Sequence, residues 1–127
     1  MENPSIEEFA KALIQQVRDA AIRSCDLRLS TESASAVANR WRDAVKNVSG
    51  VDAVVMSVPD IVDEVVFQFL RAIDQEQLEL LYKASTGTVV DLSQDGLGEL
   101  SGWFMGSGGW RSAYATERFV DDFDDLI

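Results

Sequence analysis

Asp91, Ser93, Asp95, Gly96 and Glu99 are spaced as the first, third, fifth, sixth and ninth positions of a calcium loop, where oxygen ligands alternate around a turn glycine. The twelfth position, which should close the site with a bidentate glutamate, is Gly102, and the apolar eighth position is Gly98. Without the closing ligand the spacing reads as a polar loop in which Ser93 caps the following helix, so no metal is expected.

Asp121, Asp122, Asp124 and Asp125 concentrate four carboxylates in five residues. On a helix C-terminus they oppose the macrodipole. The segment therefore reads as a solvated end, or as one held against basic groups of the first half of the chain or of a partner. Six of the eleven aromatics, Trp103, Phe104, Trp110, Tyr114, Phe119 and Phe123, fall in the same last 25 residues. Aromatic anchors beside steering acids are how many binding surfaces are built. Asp121, Asp122, Asp124, Asp125, Trp103, Trp110 and Tyr114 are accordingly the expected partner-binding residues.

Other chemistries lack their parts. The chain has no histidine and one cysteine, so Ser-His-Asp and Cys-His arrangements have no base and the usual zinc sites have no ligands. Cys25 falls near the apolar side of the first helix and reads as a buried, inert thiol. Gly106-Ser107-Gly108-Gly109 is followed by Trp110 rather than by the Lys-Ser/Thr of a phosphate loop. No catalytic residue, metal or cofactor is assigned.

Charge divides the chain sharply. Residues 1–50 hold seven Lys/Arg and seven Asp/Glu, whereas residues 51–127 hold four against fifteen, which accounts for the whole net charge of −11. Such a balance speaks against nucleic acid as a ligand and suits a basic protein partner. The acidic N-terminus, Met1 to Phe9, lacks the basic-then-apolar layout of a secretion signal. No apolar run approaches the ~20 residues of a membrane span, and a cytoplasmic location is expected.

The elements that must position these residues follow from hydrophobic spacing. Ser5 and Glu8 have capping-box spacing, and Ile6, Phe9, Leu13, Val17 and Ala20 or Ala21 form the stripe of a first helix running to about Cys25. A second helix follows Ser30-Thr31, carries Val37, Trp41, Ala44, Val45 and Val48, and ends at Gly50. Residues 52–58 read as a short strand or a connector. Pro59 opens a third helix whose wide apolar arc, Ile61 to Ile73, places it centrally in the core.

Residues 80–92 read as a β-hairpin turning at Gly87, in preference to a helix capped by that glycine. Gly98, Gly102 and Gly106 read as one stripe of a short helix, Gly108-Gly109 as a turn, and the residues from Thr116 as a last helix. The fold expected is α+β, predominantly helical, with four to five helices and one β-hairpin around a single core spanning residues 1–127.

For function, the expectation is a non-enzymatic acidic protein-binding domain. Small acidic single-domain bacterial proteins often neutralise toxins, which makes an immunity-type inhibitor of a basic toxin or effector domain the concrete form. The alternatives are a small-molecule-binding domain or carboxylate-based enzyme with a pocket of Trp103, Trp110 and Tyr114, and a homodimeric adaptor.

Overall fold

A computed structural model describes residues 3–30, 34–46 and 51–121, with the side chains of 51–53 left aside. Among the described residues the fold is a predominantly helical α+β arrangement, 66% helical, with six helices, the first of them composite, and one two-stranded antiparallel hairpin.

The first helix is a continuous rod made of α1 (Pro4–Ala12), a π-helical stretch (Leu13–Arg18) and α2 (Asp19–Leu29). Its cap is Asn3, not the expected Ser5. The Asn3 side chain accepts from the Ser5 and Ile6 amides at 3.0 and 3.3 Å. Pro4 explains the earlier start, because its missing N–H costs nothing in a first helical turn. The π-helical stretch advances the buried face past the expected stripe. Val17 is 52% exposed, while Arg18 and Asp19 are fully buried.

Helix α3 (Ala36–Val45) is capped by Ser35, whose hydroxyl accepts from the Ala38 amide. It begins later than the Ser30-Thr31 signal suggested; Gly50, its expected end, lies outside the described residues.

Helix α4 (Val51–Asp74) corrects the reading of residues 52–58, which are helical, and of Pro59, which lies inside the helix rather than at its start. A proline in a helix interior leaves the carbonyl four residues earlier without its donor. Here that carbonyl belongs to Val55, and Arg118 Nη2 donates to it at 2.8 Å. The β-branched run thus becomes helix because a guanidinium from the far end of the chain replaces the lost hydrogen bond. Helix α4 ends at a left-handed Glu76 (φ 60°), with the Gln77 and Leu78 amides donating to the Ala72 carbonyl.

The hairpin forms as expected. Strand β1 (Leu81–Lys83) pairs with β2 (Val89–Asp91) in the register Leu81↔Asp91, and Gly87 takes φ +92° in the loop. Three short helices follow: α5 (Leu92–Asp95), α6 (Leu100–Met105) and α7 (Trp110–Tyr114). The glycine stripe does not exist as one helix face. Gly98 is left-handed (φ +70°) ahead of α6, and Gly106 lies beyond its end in an extended conformation. The capping acid of α6 comes from α4: Asp74 accepts from the Leu100 and Ser101 amides, each at 2.9 Å. Residues 116–121 are not helical, contrary to expectation.

Ile6, Ala10 and Ile14 of the first rod meet Leu70 and Ile73 of α4, with Leu92, Leu100, Phe104 and Trp110 closing the core from the C-terminal half.

Candidate protein-binding surface

Arg18 of the π-helical stretch, Asp19 of α2, Asp63 of α4 and Arg111 of α7 meet in the interior. Arg18 Nε donates to Asp63 Oδ1 and Arg18 Nη1 to Asp19 Oδ1, both at 2.6 Å, while Arg111 Nη1 reaches Asp63 Oδ2 at 2.9 Å. All four residues are buried. The Arg111 guanidinium also lies 5.5 Å and 5.0 Å from the ring centres of Phe104 and Phe119.

This cluster pins the chain beyond α7. Arg18 donates to the carbonyls of Glu117 and Arg118, at 3.3 and 2.7 Å. Asp19 accepts from the amide and the hydroxyl of Thr116, both at 2.8 Å. Burial pushes the Asp19 carboxyl up, but the two Thr116 bonds and Arg18 outweigh it, so its pKa lies below the ordinary value.

The cluster has a consequence for the surface. It removes two of the eleven cations and two of the twenty-two acids, leaving nine against twenty. Internal pairing therefore takes nothing from the net charge of −11, which belongs entirely to the rest of the molecule. Asp60, Glu64, Glu76, Glu79, Asp95 and Glu99 are exposed carboxylates of the second half.

The expected partner-binding residues are placed unevenly. Trp110 is fully buried, edge-on to Phe9 at 6.3 Å and tilted against Trp103 at 6.3 Å, so its role is core packing and not anchoring. Trp103 and Tyr114 are half-buried. Burial, followed by the charge of Glu7, pushes the Tyr114 hydroxyl pKa up. Asp121 is half-buried, and Asp122, Asp124 and Asp125 lie outside the described residues. Two of the calcium-like carboxylates, Asp91 and Asp95, accept backbone amides. Asp91, rather than Ser93, caps α5 by accepting from the Ser93 and Gln94 amides, and Asp95 accepts from the Asp91 amide. Cys25 is partly buried rather than enclosed, and lines a concavity with Trp41 and Ile61.

Sequence reasoning missed an apolar surface along α4. Ile61, Val65 and Phe69 stand one turn apart and are 61%, 65% and 37% exposed, with Val17 of the first rod beside them. Two concavities flank this ridge. One, of about 550 Å³, lies between the first rod and α4 and is walled by Phe9, Val17, Val65, Phe69 and Tyr82. The other, of about 370 Å³, lies toward α3 and is walled by Cys25, Leu29, Trp41, Val58 and Ile61. The signal was present in the breadth of the apolar arc on α4, which exceeds what one layer of neighbours covers. Comparison with protein-family models, curated proteins and solved structures finds none that matches this chain.

Proposed function

We propose that this chain is a non-enzymatic, acidic protein-binding domain that docks onto a basic protein, its concrete form being a cytoplasmic immunity-type inhibitor of a basic toxin or effector domain. The observation that carries the reading is the charge balance of the buried cluster, which leaves the full excess of −11 outside it. A field of that sign steers a cationic protein and repels nucleic acid and anionic lipid. Among the described residues no helix is long and apolar enough to cross a membrane.

Coexpression with the products of the genes flanking its own tests this reading. The expected result is a stable complex with a product of high isoelectric point, whose activity the chain suppresses. Complexes only with acidic products, or none with any flanking product, contradict it.

The exposed ridge of Ile61, Val65 and Phe69 favours one rival, a homodimeric adaptor. Self-repulsion of two copies carrying −11 each opposes that association. A scattering mass near 14.0 kDa at low salt favours the basic partner, and twice that mass favours the dimer.

A further inference from the structure

We infer that residues 116–121 are a releasable strap, and that its release and the unwinding of α4 ahead of Pro59 are one conformational step. The protein then has a second state, in which α4 starts at Pro59 and the seat of the strap over Arg18, Asp19 and Asp63 lies open. This device goes beyond the protein-binding reading and stands without it.

Local preference opposes the helix that the strap supports. Val51, Val54, Val55 and Val58 are β-branched, and such side chains lose rotamer freedom in a helix. Pro59 crowds the helical backbone of Val58 before it and supplies no N–H to the Val55 carbonyl. Burial adds little. Val54 and Val55 are half-buried and Met56 and Ser57 exposed, which leaves Val58 as the buried residue among the described side chains of this stretch. The sequence alone starts the helix at Pro59. The structure starts it at Val51, with Arg118 Nη2 donating to the Val55 carbonyl at 2.8 Å.

The segment that provides this bond is itself lightly held. Residues 116–121 belong to no helix or strand, and side chains grip their backbone. Asp19 accepts from the amide and hydroxyl of Thr116, and Arg18 donates to the carbonyls of Glu117 and Arg118. Arg118 spans α2 and α4, donating to Asp26 at 2.8 and 3.1 Å as well as to Val55. Thr116, Arg118 and Val120 are exposed. Phe119 is half-buried, its ring centre 5.9 Å from the Arg18 guanidinium and 5.0 Å from that of Arg111. Few buried apolar contacts and exposed hydrogen bonds put such a segment at the low end of local stability.

The two parts depend on each other. Lifting the strap takes Arg118 from Val55 and returns the helix ahead of Pro59 to its own preferences. Unwinding that helix removes the carbonyl that Arg118 reaches on α4 and leaves it Asp26 on α2. The rest of the fold survives both events. Arg18 keeps Asp19 and Asp63, and water replaces the two strap carbonyls. Val66, Leu70 and Ile73 stay in the core, and Asp74 still caps α6.

Native-state hydrogen exchange of the full chain, read residue by residue, tests the device. The amides of residues 55–58 and of Thr116 should be protected to within about threefold of one another, and about a hundredfold less than those of residues 66–73. The Thr116 hydroxyl donates to Asp19 of α2, so Thr116→Val loosens the strap without touching Arg118. It should speed exchange at residues 55–58 and 116 by about fivefold and leave 66–73 unchanged. In Pro59→Ala the helix has its own donor for Val55, and the same change should then speed residue 116 and not 55–58.

Residues 55–58 protected as strongly as 66–73 would overturn the inference, since no second state then exists. So would a Thr116→Val response confined to residue 116, spread evenly over every amide, or absent. An undiminished response of residues 55–58 in Pro59→Ala would also overturn it, because the strap would not be standing in for the N–H that proline lacks.

Discussion

Arg18 and Asp63 lie 2.6 Å apart across the interface of the first helical rod and α4, with 0% and 3% of their side chains exposed. Two charges taken out of water cost several kcal/mol each unless every polar atom finds a partner. Here Arg111 and Asp19 complete the set, while Arg111 Nε is a buried donor without a hydrogen-bond partner. Asp63→Ala leaves two buried guanidiniums without their shared carboxylate, and a loss of about 3–5 kcal/mol is expected in urea unfolding. The exposed Asp43–Lys46 pair, each side chain 71% open, is the control, and Asp43→Ala should cost less than about 0.5 kcal/mol. Equal costs at the two sites would refute a structural role for the cluster.

Asp19 should make the fold acid-sensitive. Its folded pKa lies below the ordinary 3.8, so its contribution is present above that value and disappears as pH falls through the depressed folded pKa. The stability difference between wild type and Asp19→Asn should thus be full at neutral pH and shrink below about pH 4. A difference independent of pH down to 2 would mean that the ionised form is not what Thr116 and Arg18 recognise.

Pro59 and Arg118 should be energetically coupled through the Val55 carbonyl. Arg118→Met removes the replacement donor together with the exposed pair to Asp26, and should cost about 1–2 kcal/mol in all. With Pro59→Ala in place the helix supplies its own N–H, and the same Arg118 change should cost measurably less. A double-mutant cycle reads the coupling, expected at about 0.5–1 kcal/mol; strict additivity would show that the bond carries no energy.

Gly109 should tolerate less than Gly87. A methyl group at Gly109 overlaps the Trp103 carbonyl oxygen, whereas one at Gly87 meets nothing within 4 Å and bears only the strain of φ +92°. Gly87→Ala is expected to cost about 1 kcal/mol and Gly109→Ala more, read as shifts in thermal midpoint.

What the sequence made legible was local. The hairpin could be read because β-branched residues flank a glycine loop, and the first rod because its apolar spacing spans several turns. The Pro59 boundary could not, since only the distant Arg118 makes an interior proline tolerable. The buried face of the rod was misjudged at Val17 because a π-helical stretch leaves no spacing signature. Trp110 looked like an anchor for the same reason that it is core: a large ring packs well in either place, and only tertiary contacts decide. The acids of the last segment were visible as a group, but the apolar ridge on α4 required knowing which faces its neighbours leave uncovered.

The most direct test of the central claim, an uncompensated anionic surface that captures a basic protein, is the salt dependence of association. Stopped-flow rates for the chain with the basic flanking-gene product should fall by about tenfold or more between 20 and 200 mM salt. They should fall again when Asp60 and Glu64 are replaced by Lys. An association rate indifferent to both salt and charge reversal would contradict the account.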